Sequence, residues 1–317
     1  MENKQFYYYD VYGQKARSNI FFPQLLPSGQ SFDDPDIEIV MEDTDISSES
    51  EKELYVDGRS YGKTENGIWF VNQAGKFSIE TKDNVTRLYC ARYCDIHESI
   101  IRSFFLGNCI AIALTQRNFI PLHGSSLIYK GKTILVCGGS GAGKSTLTTE
   151  LINRGAVLMA DDISAITLED GISYTCSGFP EQKLCRDAAI NNGFDLDSLR
   201  YVNEDSDKFS LDRNDIFFYG RKKVDSLYII RKNSSEDMTG FENGIKAREI
   251  TGVDKVNAVT DMLFLKQLYS FLWGFTPEEM MRCVALAGQI NVFELTRKKD
   301  MDTIAYLVRA IEESWNL

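Results

Sequence analysis

One stretch restricts the possible folds of this chain more than any other. The apolar run Thr133–Cys137 leads straight into Gly138-Gly139-Ser140-Gly141-Ala142-Gly143-Lys144-Ser145, which fits the pattern G-x4-G-K-[ST]. Glycines let the backbone turn tightly enough for several N–H groups to point at one centre. The following segment predicts a helix over Lys144–Arg154, with Gly155 as its stop. Its positive end would face the same centre. Strand, glycine loop and helix in that order predict an α/β fold with a phosphate cradle at the strand's end. Lys144 would bring positive charge to the β- and γ-phosphates, and the Ser145 hydroxyl is a hard oxygen suited to Mg²⁺. Gly138–Ser145 with Thr146 are therefore the candidate nucleotide-binding residues, and ATP with Mg²⁺ the implied cofactors.

A second signal follows one strand later. Ala156–Ala160 is wholly apolar, as in a strand covered on both faces, and Asp161-Asp162 come directly after it. In a parallel sheet that strand end lies at the edge where the glycine loop lies. One carboxylate there can hold Mg²⁺ and the other can accept a proton from an attacking hydroxyl. His123, in Leu122-His123-Gly124-Ser125, precedes the predicted strand pair Ser125–Tyr129 and Thr133–Cys137. The segment Gly178–Asp187 is expected to be a loop, with Lys183 and Arg186 as candidate phosphate or substrate contacts; Lys208 is a third. Cys90, Cys94 and His97 have the spacing C-x3-C-x2-H, which offers a metal three ligands and no obvious fourth.

The first hundred residues read as β-rich. Short aromatic and β-branched runs at 6–12, 36–41, 53–56, 67–71, 76–80 and 86–90 are separated by Gly, Asn and Asp, as in an antiparallel sheet. The acidic, serine-containing stretch 42–53 reads as a solvated loop. Residues 98–116 predict a helix that is apolar on most faces and so buried. The expected division is a β-rich domain over 1–97 and a kinase-type α/β domain over 98–317, with helix 98–116 as the joint. Hairpin strands at Ser164–Thr167 and Ile172–Thr175 and a strand at Asp225–Ile230 are expected next. Arg231–Gly244 reads as a mobile loop. The end predicts helices over 253–271, 277–287 and 301–314 and a strand over Asn291–Leu295, with Thr276 as cap before Pro277.

With 43% hydrophobic residues the chain can fill a sizeable core. Its net charge of −11 argues against nucleic acid as a partner. The seven cysteines are odd in number and scattered, which reads as free thiols in a reducing compartment. The longest apolar stretch, Phe104–Leu114, carries Asn108 and is shorter than the roughly 18 residues of a membrane span. A cytoplasmic protein without a membrane partner is the expectation.

The order HGSS (His123–Ser126), GGSGAGKST (Gly138–Thr146), LMADD (Leu158–Asp162) resembles the catalytic domain of bacterial HPr kinase/phosphorylase, whose fold is related to the nucleotide-binding part of phosphoenolpyruvate carboxykinase. DVYGQKARSNIFFPQLLP (Asp10–Pro27), FPEQKLCRDA (Phe179–Ala188) and INVFELTRKKDMDTI (Ile290–Ile304) resemble the HPr kinase-like serine kinases found with lasso-peptide biosynthesis genes. The resemblance implies that the glycine loop and Lys144 cradle phosphates and that Ser145 and Asp162 hold Mg²⁺. It implies further that Asp161 is the general base toward an acceptor serine and that His123 sits beside it. The acceptor would be a peptide or protein, such as a lasso-peptide precursor, and a homo-oligomer is implied because related enzymes form rings. The Gly- and Arg-containing C-terminal signature of the true HPr kinases has no counterpart here, so phosphorolysis is not implied. Cys185 stands where an aromatic residue is commoner. A metabolite kinase, an HPr-type regulatory protein kinase and a nucleotide-binding module without transfer are the other readings; the retention of both aspartates counts against the last.

Overall fold

The computed structural model describes residues 5–42, 53–56, 58–65, 67–203, 207–235 and 237–316. Most of the expected acidic loop, residues 43–52, lies outside them. The chain forms two compact units, one of residues 1–121 with 264–280 and one of 122–263 with 281–317. Helix 98–116, expected as a joint, is part of the first unit.

The first unit holds strands β1 (Tyr7–Val11), β2 (Gln14–Ser18), β3 (Ile37–Glu42), β4 (Glu53–Val56), β5 (Arg59–Lys63), β6 (Gly67–Asn72), β7 (Gly75–Lys82) and β8 (Val85–Arg92). They form one eight-stranded sheet in the order β1-β2-β3-β8-β7-β6-β5-β4. The sequence suggests an antiparallel sheet, but β3 pairs in parallel with both β2 and β8. A tight hairpin can only join antiparallel strands; β3 is reached by the long connection 19–36 and is free to run the other way. Polar β2 and β5 escape the hydrophobic pattern, yet Ala16, Ser18 and Tyr61 of these strands are buried.

The apolar helix is continuous through 98–116, with a π turn at Phe105–Cys109 between its two α-helical parts. Phe104 and Phe105 meet Phe77 at ring-centroid distances of 5.7 Å each, and Phe77 stacks on Phe70 at 4.7 Å. By length and composition this helix is able to cross a membrane, contrary to the sequence reading, but 67% of its apolar window is buried within the protein. His97 is its N-cap: Nδ1 accepts the Ser99 N–H. Cys90 is buried and Cys94 exposed, and among the described residues no His, Cys, Asp and Glu group of three or more is set to hold a metal. The metal reading of Cys90, Cys94 and His97 is therefore replaced by a helix cap.

The second unit is built on β9 (Ile120–Tyr129), β10 (Lys132–Gly138), β11 (Val157–Ala160), β12 (Ile163–Glu169), β13 (Ile172–Cys176), β14 (Glu181–Cys185), β15 (Arg200–Asn203), β16 (Lys208–Asp212), β17 (Arg221–Lys223), β18 (Ser226–Asn233), β19 (Ile245–Ile250) and β20 (Asn291–Lys298). Nine strands form a mixed sheet in the order β17-β13-β12-β9-β10-β18-β20-β19, with β11 also on β9; β14-β16-β15 form a small separate sheet. The β9–β10 turn has Lys130 and Gly131 at φ 47° and 79°, the left-handed pair that suits a two-residue hairpin. Leu127, Tyr129, Ile134 and Val136 meet Leu147 and Leu151 of helix Lys144–Asn153 and Leu307 and Ile311 of helix Ile304–Glu313 in one buried cluster. Helix Val253–Asp261 is shorter than expected: Leu265 takes φ 55°, and only Lys266–Leu268 and a π turn follow.

Candidate active site

The chain path brings the three motifs together. β9 runs antiparallel to both β10 and β11, with Cys137 opposite Gly124 and Ala160 opposite Ser126. β10 and β11 therefore point the same way, and both end beside the middle of β9, at Gly124 and Ser126. The glycine loop leaves β10 on one side of His123–Ser125, and Asp161-Asp162 leave β11 on the other. The sequence reading places both strand ends at one edge and expects a strand over Ser125–Tyr129; that strand starts earlier, at Ile120, and lies between β10 and β11, so that it carries His123 into the sheet instead of leaving it ahead of the strand. The resulting cleft has a volume of about 220 Å³.

Gly124 allows this close approach. A Cβ there would lie 2.4 Å from the Val136 carbonyl oxygen and 2.6 Å from the Cys137 sulfur. In the loop, Gly143 caps the helix at φ 107°, a conformation suited to glycine. Lys144 Nζ donates to the carbonyls of Gly138 and Gly139 at 2.8 and 3.2 Å. Burial lowers its pKa, reinforced by Lys208 and opposed by Asp161 and Asp162. Gly139, Ser140, Gly141, Gly143, Lys144, Ser145 and Thr146 line the cleft. Ala142 is buried in the core cluster instead, and Gly138 closes the strand.

The two aspartates have opposite surroundings. Asp161 is buried; its Oδ1 accepts the Ser125 hydroxyl at 2.5 Å and its Oδ2 accepts the Lys183 N–H at 2.7 Å. Burial raises its pKa, with Ser125 and Lys183 opposing. Asp162, at φ 69°, accepts from Lys183 Nζ at 2.8 Å and lies 3.7 Å from His123 Nε2. Burial acts against its charge, but Lys183 and Lys208 outweigh it and hold the carboxyl well below its usual range. Desolvation pushes His123 down to about 4, with Lys144, Lys208 and Lys183 adding and Asp162 opposing. The imidazole is then neutral near pH 7, so the two lysines are the charges that matter to Asp162.

Lys183 is on β14, not on a loop, and only 13% of its side chain is exposed. Lys208 faces Cys185 across the small sheet and joins it at the cleft wall. Arg186 is elsewhere: its guanidinium pairs with Asp207 at 2.7 and 2.8 Å and lies over the Phe209 ring, outside the cleft lining. Ser125 was not singled out from the sequence. Its signal is the strand period, since it sits two residues from His123 and so on the same face. Cys185 and Asp187 also line the wall; the sequence marks Cys185 only as a departure from the resembled family and does not single out Asp187.

The donors suit Mg²⁺, since a hydroxyl, two carboxylates and phosphate oxygens are hard ligands and such sites use few protein groups. Chemically, the arrangement can hold a polyphosphate at the glycine loop and present a buried carboxylate to a hydroxyl beside it.

No protein-family model matches the chain. A stretch of 44 residues is 52% identical to an HPr kinase/phosphorylase of Aromatoleum aromaticum, covering 14% of this chain and 14% of that protein. The Hpr(Ser) kinase/phosphatase structure from Coxiella burnetii aligns at 13% identity with a TM-score of 0.32, over 62% of this chain and 95% of that one. The chain thus matches only about 14% of the length of its curated relative, and in that stretch it is HPr kinase-like.

Proposed function

We propose that this chain is an ATP-dependent kinase that transfers the γ-phosphoryl group to a serine hydroxyl of a peptide or protein. The observation that carries this is the opposed pair at one sheet edge: Asp161, buried with a raised pKa, and Asp162, held charged by lysines, both beside a phosphate loop. A group that takes up a proton and a group that stays anionic are what phosphoryl transfer to a hydroxyl uses.

The loop N–H groups and the helix end would hold the phosphates, and Lys144 would turn from its carbonyls to the β- and γ-oxygens. Ser145 and Asp162 would hold Mg²⁺, which supplies charge neutralisation across the phosphates. Asp161 takes the proton of the acceptor hydroxyl. That oxygen bonds to the γ-phosphorus as the bond to the β-phosphate oxygen breaks, and ADP leaves. Neutral His123, at the mouth with 42% of its side chain exposed, orients the acceptor or the moving phosphoryl group. The acid–base pattern fits any hydroxyl; the peptide acceptor, a lasso-peptide precursor in the finer form of the proposal, rests on the sequence resemblance.

Intact-mass spectrometry tests this with Mg-ATP, precursor peptides encoded beside the gene, and HPr protein. One added phosphate on a peptide serine supports the reading. Addition to HPr alone makes the protein a regulatory kinase. ATP consumed with neither modified overturns the peptide acceptor in favour of a small molecule.

A further inference from the structure

We propose that Ser125 is a positioning residue that ties the Asp161 carboxylate to the helix leaving the phosphate loop. The inference rests on the reading of Asp161 as the base and concerns what aims it. Ser125 is 1% exposed and lies on the helix-facing side of β9 with His123 and Leu127. Its hydroxyl donates to Asp161 Oδ1 and accepts from Thr148 Oγ1 at 3.2 Å. A hydroxyl has one proton, and an ionised carboxylate only accepts. The direction of the chain is therefore fixed: Thr148 to Ser125 to Asp161.

The other carboxylate oxygen is held from the same helix by a second route. Thr149 Oγ1 donates to the Ser145 carbonyl at 2.8 Å and accepts from Gln182 Nε2 at 3.0 Å. Gln182 itself accepts both Nε and Nη2 of Arg213, at 2.9 and 2.7 Å. The next residue on β14, Lys183, donates its N–H to Asp161 Oδ2. Two adjacent threonines, one turn beyond Lys144 and Ser145, thus fix the donors of both oxygens. Rotation of the carboxylate is blocked, and its position follows the helix that carries the phosphate cradle. The neighbouring Ser126 serves as a contrast: its buried Oγ has no partner, so a buried serine at this sheet position is not by itself engaged.

The test compares Ser125→Ala, Ser125→Thr, Thr148→Val and Asp161→Asn in the full chain at saturating acceptor, reading kcat and the ATP KM separately. Ser125→Ala should keep the ATP KM within about twofold and lower kcat by about ten- to a hundredfold, the scale of a misaimed group. Ser125→Thr, which restores the donor, should recover most of that loss. Thr148→Val should lower kcat less, because Ser125 keeps its bond to Asp161. The proposal is overturned by a wild-type kcat in Ser125→Ala alongside an inactive Asp161→Asn. A parallel loss of kcat, ATP affinity and melting temperature that Ser125→Thr does not repair also overturns it. Should Ser125→Ala fail to fold, a Thr148→Val enzyme with unchanged kcat decides against it. Full turnover by Asp161→Asn would remove the base assignment itself, a separate failure.

Discussion

Asp161 and Asp162 adjoin in sequence, and their difference comes from what surrounds them. Desolvation is the largest single influence at both, and it prevails at Asp161, whereas at Asp162 Lys183 and Lys208 together outweigh it. Only the ionised form of Asp161 accepts a proton, so kcat/KM should fall as pH falls through its raised pKa. That acid limb should lie above the ordinary carboxylate range of about 4. His123, lowered to about 4, is neutral across the working range, and a pH–rate profile of His123→Gln should keep the limb where it is. The same shift bears on stability. The unfolded imidazole binds its proton near pH 6.5, before the folded one does. Its contribution is therefore complete above that pH and lost as pH falls toward 4. The urea midpoint of wild type should fall relative to that of His123→Gln over that interval.

At the level of elements, the site depends on β9 lying tightly between β10 and β11. Gly124→Ala would force a Cβ to within 2.4 Å of the Val136 oxygen, and the strands would have to part. Overpacking of this kind costs about 1–3 kcal/mol, measurable by urea unfolding, and should lower activity by shifting His123 and Ser125. In helix Pro277–Gln289, Thr276 Oγ1 accepts the Glu279 N–H at 3.1 Å while Glu279 accepts the Thr276 N–H at 2.8 Å, a capping box. Thr276→Ala should cost about 1 kcal/mol in the same assay. Of these two features the sequence marks the cap, whereas the need for Gly124 shows only once β9 and β10 are paired. The glycine loop and its helix were legible because the backbone geometry demands those residues, and Thr276-Pro277 because caps are local. The small sheet β14–β16 was not. Its strands are short and polar, and Gln182 and Lys183 are half or wholly buried through hydrogen bonds that lie far apart in sequence. Helix 253–271 failed for a related reason: its apolar pattern continues past the point where Leu263 leaves the helix to bridge Leu122.

At the scale of the whole molecule, all the cleft residues belong to the second unit. Nucleotide should therefore protect that unit selectively. In hydrogen exchange with Mg-ATP, amides of the glycine loop and helix Lys144–Asn153 should slow, while those of β1–β8 should stay as they were. At a nucleotide concentration about a hundredfold above Kd the stabilisation should approach about 2.7 kcal/mol. The net charge of −11 does not prevent this, because at the cleft Lys144, Lys183 and Lys208 offset Asp161, Asp162 and Asp187 and the loop N–H groups face the phosphates. The central claim is that Asp161 receives the acceptor's proton during phosphoryl transfer. Its most direct test is a single-turnover assay with Mg-ATP and a serine peptide, comparing wild type with Asp161→Asn while ATP binding is followed in parallel. The account predicts transfer reduced by about 10²–10⁴-fold with ATP affinity little changed; transfer at the wild-type rate in the variant would contradict it.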